Sequence, residues 1–139
     1  MTKRVFKVLD YSKFIILKKQ LEIEKTIQLE VLGSSMLPLY RSVGERINVE
    51  IIHELIELKR FDIIVFWQNE GLIVHYFWKI NSFFNDNAKD PTIITRPLNP
   101  ITAYDHPIHF NQLLGIVRDK KIGNYLKFKI SLLSILQPK

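Results

Sequence analysis

The sequence predicts a mainly β protein: an antiparallel sheet preceded by one short helix, in a single domain spanning residues 1–139. Three observations carry this prediction. Short apolar runs with period-two alternation recur from Thr26 onward, turn-forming residues separate them, and a segment of helical period comes before them. A chain of 139 residues with 47% hydrophobic content fills one core and is too short for two ordinary domains. The plan is a helical lead-in over about residues 10–24, a β core over about 26–121, and a C-terminal extension over about 122–139.

After a short extended start, "DYSKFIILKKQLEIEK" offers Asp10 or Ser12 as an N-cap. It places Phe14, Leu17 and Leu21 at i, i+3 and i+7, the apolar stripe of an amphipathic helix. "TIQLEVLG" then sets Ile27, Leu29 and Val31 on one face of a strand that stops at Gly33. "ERINVEII", "FDIIVFWQ" and "GLIVHYFWKI" read as three further strands, the last two joined by the hairpin turn "QNEG". "TIITR" and "LLGIVRDKKI" are also β-like, whereas Asn81 to Pro91 and Pro97 to Pro107 are loops by their Asn, Asp and Pro content. The closing "YLKFKISLLSIL" fits a strand or a helix equally well.

Composition removes several classes of function. Without cysteine there is no disulfide, no Cys-ligated zinc and no thiol nucleophile. The apolar run Phe14 to Leu17 ends at two lysines, so it is neither a signal-peptide core nor the roughly 20 apolar residues of a membrane span. The net charge of +6 comes from scattered lysines and arginines that no nucleic-acid-binding motif organises, and specific nucleic-acid binding is disfavoured. No phosphate loop or cofactor fingerprint is present, so no cofactor is expected. "HPIH", His106 to His109, lacks a third ligand at a useful spacing, and no metal site is expected.

The densest chemistry follows the first strand, in "GSSMLPLY". By itself Gly-Ser-Ser is ordinary turn chemistry, with both hydroxyls bonding local backbone. A catalytic serine needs a base, and the candidates are His53, His75, His106, His109 or a desolvated lysine.

The order of segments goes further. "GSSMLPLYRSVGERINV" followed by "LKRFDIIVFWQNEGLIVHYFWKI" resembles the paired boxes of type I signal peptidases and the related LexA-type self-cleaving repressors. In that superfamily the serine before the methionine is the nucleophile, which here is Ser35. The base lies on the second strand of the next box; it is lysine in the bacterial enzymes and histidine in the branch that includes the endoplasmic-reticulum enzyme. The matching residue is His75, 40 positions after Ser35. "IITRPLNPITAYDHPIHFNQLLGIV" resembles the third box and puts Asp105 at the acid that supports the base. The resemblance covers about residues 26–121 and implies a coiled antiparallel sheet. It also implies a serine endopeptidase working through Ser35, His75 and Asp105, with an oxyanion hole from the backbone N–H groups of Ser34 and Ser35.

Five positions depart from the pattern. Glu45 stands for an aspartate, Phe61 for the glycine before Asp62, Tyr76 for an arginine, and Pro97 with Leu98 for Gly-Asp. Glycines at such turns supply positive φ, so Phe61 and Pro97 imply rebuilt loops. By period two, Phe77 and Lys79 share the face of His75, which makes Lys79, about 13 Å further along an extended strand, the rival base.

The substrate is expected to be an extended peptide added as a strand, with Met36, Pro38 and Phe77 as groove candidates. A chain without a transmembrane anchor points to a cytoplasmic peptide or protein leader. The alternative is a catalytically inactive peptide-binding or oligomerisation module on the same fold. Oligomeric state is not written in the sequence.

Overall fold

A computed structural model describes residues 5–6, 11–32, 36, 43–68, 71–81 and 91–136; for 5, 6, 31, 32, 43 and 44 the description is of backbone alone. The elements run β1 (Val5–Phe6), α1 (Tyr11–Glu24), β2 (Thr26–Leu32), β3 (Val43–Glu50), β4 (Ile63–Gln68), β5 (Gly71–Asn81), β6 (Thr92–Arg96), β7 (Leu113–Val117) and α2 (Asn124–Leu136). The seven strands form one open sheet in the order β1-β2-β3-β7-β4-β5-β6. All pairings are antiparallel except β1 with β2, which is parallel.

The sheet is apolar on both faces, which is why several strands read as continuous hydrophobic runs rather than clean alternations. On one face Phe14, Leu17 and Leu21 of α1 pack over Ile27, Leu29, Ile47, Val49, Ile63 and Val65, with Ile130 of α2 beside them. Ile64, Phe66 and Phe77 point to the other face and are covered by Ile52, Leu58 and Ile108 from connecting segments. At Gly115 a Cβ would stand 2.5 Å from the Glu50 carbonyl oxygen and 2.6 Å from Val49 Cγ1, so glycine is what lets β7 approach β3 this closely.

α1 begins at Tyr11, so Ser12 lies inside the helix and is not its cap; Asp10 lies outside the described residues. It ends where the Lys25 N–H donates to the Leu21 carbonyl and Lys25 turns left-handed at φ 69°, the terminus usually given to glycine. The ambiguous C-terminal segment is helical. Ile130 and Leu126, four apart, both reach the first core while Phe128 between them is exposed, an arrangement a helix gives and a strand, which would put all three on one face, does not.

Two expectations are corrected. Phe61 was expected to mark a rebuilt turn, yet it holds φ 77°, the left-handed conformation a glycine would have supplied. Its N–H donates to the Phe77 carbonyl (2.8 Å), and the Phe77 N–H donates to the Asp62 carbonyl (2.7 Å), which ties the turn to β5. Its ring stacks on Tyr76 and meets Trp78 edge-on, both at 5.8 Å. Lys79, the rival base, leaves the face of His75. The register against β6 slips between Phe77 and Lys79, so Trp78 is an inserted residue and alternation reverses after it. Ile80 packs in the same core as Phe77, which puts the exposed Lys79 on the opposite face.

Candidate active site

β5 bends from one partner to another at the centre of the site. Its residues Gly71 to Tyr76 pair with β4, and Tyr76 to Asn81 pair with β6. His75 sits just before this changeover, opposite Ile64 of β4 and on the same face as Ile73 and Phe77. It is 7% exposed, and its ring meets Phe66 edge-on at 5.9 Å.

Asp105 comes to this histidine from the long connection between β6 and β7. Its Oδ2 lies 2.5 Å from His75 Nδ1 and accepts a second hydrogen bond from Thr95 Oγ1 at 2.6 Å. A carboxylate only accepts, so Nδ1 must carry the proton it donates. The neutral imidazole therefore holds its lone pair on Nε2, the arrangement a general base requires. Both side chains are largely withdrawn from water, at 9% and 16% exposed, which strengthens the attraction between a carboxylate and an imidazolium.

The connection is pinned on both sides of the acid. The Asp105 N–H donates to the Thr95 carbonyl (3.0 Å), Gln68 Nε2 donates to the His106 carbonyl (3.0 Å), and Ile108 exchanges two backbone bonds with Ile93. Upstream, the fully buried Arg96 donates from Nε to the Ala103 carbonyl (3.2 Å) and from Nη2 to the Ile101 carbonyl (2.9 Å). Its guanidinium lies between the rings of Trp78 and Tyr104, at 4.6 and 4.2 Å, and Nη1 donates to Ser134 Oγ of α2 at 2.7 Å. Proline in place of glycine at position 97 thus accompanies a connection fixed by other means, and the carboxylate reaches the imidazole.

Tyr76, on the opposite face of β5 from His75, is fully buried, and its hydroxyl has no hydrogen-bond partner among the described residues. Burial first, and then the nearby Tyr104 and Asp105, push it up to about 12 against the opposing pull of Arg96.

Of the sequence-derived site residues, the structure brings His75 and Asp105 together. Ser34, Ser35 and Pro38 lie outside the described residues. Met36 and Phe77, expected along a substrate groove, are instead 3% and 5% exposed and belong to the two cores. Thr95 was missed: its role depends on lying across from Phe77 in the neighbouring strand, a relation no spacing within "TIITR" reveals. His106 and His109 are exposed, and no three His, Asp or Glu side chains among the described residues group to hold a metal.

No described helix is long and apolar enough to cross a membrane. Comparison with protein-family models, with curated proteins and with solved structures finds no match for this chain.

Proposed function

We propose that the chain is a serine endopeptidase of the signal-peptidase-like type, using Ser35 as nucleophile, His75 as general base and Asp105 as the acid that orients it. The observation that carries this reading is the 2.5 Å contact between His75 Nδ1 and Asp105 Oδ2, made by residues 30 positions apart. The sequence resemblance had paired these two positions as base and supporting acid. In this mechanism Ser35 Oγ attacks the scissile carbonyl while His75 Nε2 takes its proton. Asp105 stabilises the imidazolium, which then protonates the leaving amine. The Ser34 and Ser35 N–H groups receive the oxyanion.

A second feature supports an extended peptide as substrate. From Leu72 to Val74, immediately before His75, β5 is paired on its β4 side and has no strand on its other side among the described residues. A peptide added there would run toward the imidazole. The preferred substrate is a cytoplasmic peptide or a protein leader. The test is cleavage of an extended-peptide library by the purified chain and its His75→Ala variant. The reading requires cleavage that falls by on the order of a hundredfold or more in the variant; absence of cleavage by the unaltered chain would favour a binding module on the same fold.

A further inference from the structure

We infer that α2 is an interfacial helix that lays its outer face on an anionic lipid surface. Tyr125, Phe128, Leu132, Ile135 and Leu136 recur at i, i+3, i+7, i+10 and i+11, which places them on one stripe of the helix. All five face solvent, at between 46% and 80% exposed. The helix does not need this stripe to hold its place. Its inner side is anchored by the fully buried Ile130, by Leu126, and by Ser134, whose Oγ accepts from Arg96. An apolar stripe of this length on an already docked helix is surface left for a partner.

Charge identifies the partner. Residues 120–139 contain five lysines and no aspartate or glutamate, in a chain of net charge +6. Lys120 is paired with Glu45, whereas Lys121 and Lys129 are exposed. A second copy of this chain seated on the stripe would bring these lysines against their own counterparts with no acid on the helix to offset them. A layer of anionic headgroups complements them. Aromatic and aliphatic side chains on one face with lysines beside them are the composition of helices that lie in the bilayer interface.

The test is co-sedimentation of the full chain with vesicles of phosphatidylcholine alone or mixed with phosphatidylglycerol. The chain should sediment with the mixed vesicles, much less with neutral ones, and progressively less as salt is raised. Lys121→Gln with Lys129→Gln should weaken binding on the order of 25-fold, roughly fivefold for each lysine. Phe128→Ser with Leu132→Ser should remove it, and Ile135→Ser alone should weaken it, so a folding defect in the double variant would leave a second reading. These positions face solvent, so the circular dichroism of the variants should match the parent. A chain that stays in the supernatant with anionic vesicles would overturn the proposal, as would lipid binding indifferent to the apolar substitutions. A concentration-dependent dimer abolished by Leu132→Ser, without lipid binding, would assign the stripe to a second copy instead.

Discussion

Thr95 and His75 share one oxygen: Oδ2 of Asp105 accepts from Thr95 Oγ1 at 2.6 Å and lies 2.5 Å from His75 Nδ1. With the Asp105 N–H also bonded to the Thr95 carbonyl, a single strand residue fixes both the backbone and the carboxylate of the acid. A carboxyl group is therefore held in place by β6 and presented to an imidazole on β5.

Removing the charge of that acid should damage turnover more than binding. Asp105→Asn offers Nδ1 either an amide donor or a weaker acceptor, so the imidazole loses its fixed tautomer and its cation loses a counter-charge. Kinetics on a cleavable peptide should show kcat reduced by about 10²- to 10⁴-fold with KM changed little. Equal loss in both parameters would mean that Asp105 holds the fold and not the base.

Thr95→Val keeps shape and burial and removes only the hydroxyl. The carboxylate then keeps His75 but loses one of its two side-chain donors. The expected result is a kcat about tenfold lower, matching the low end for a hydrogen bond to a charged group.

The Phe61 turn makes an ordering test. At φ 77° any side chain strains the backbone, so Phe61→Ala loses the ring contacts with Tyr76 and Trp78 and keeps the strain, whereas Phe61→Gly loses the contacts and relieves it. Denaturant melts should find the alanine variant less stable than the glycine variant by about 1 kcal/mol, the reverse of the order in a helix or strand.

Tyr76 carries a buried hydroxyl with no partner among the described residues, so Tyr76→Phe should leave stability unchanged or raise it by about 1 kcal/mol. The parent should also show an alkaline signature. A group raised from 10.0 to about 12 contributes its full stability below pH 10, and loses it as the unfolded chain ionises between the two values. Melts across that range should fall more steeply for the parent than for Tyr76→Phe.

Much of this was legible because burial imposes periodicity. Phe14, Leu17 and Leu21 marked α1, and the alternation Ile27, Leu29 marked β2. Lys79 was misplaced because a bulge at Trp78 reverses alternation, and a bulge depends on the partner strand's register, which one strand's sequence does not contain. In α2, Leu126, Phe128 and Ile130 alternate with Lys127 and Lys129 as a strand would, and docking of Ile130 on the core decides for the helix. His75 was visible as one of four histidines, but its pairing with Asp105 came from resemblance and Thr95 came only from the fold.

The central claim is that this histidine and acid serve a serine nucleophile, and active-site labelling tests it most directly. The chain is treated with a serine-directed fluorophosphonate, and the adduct is located by tandem mass spectrometry in the parent and in His75→Ala. The account predicts one adduct, on Ser35, that is lost in the variant. An unlabelled parent, an adduct on Ser34, or labelling of Ser35 that persists without His75 would contradict it.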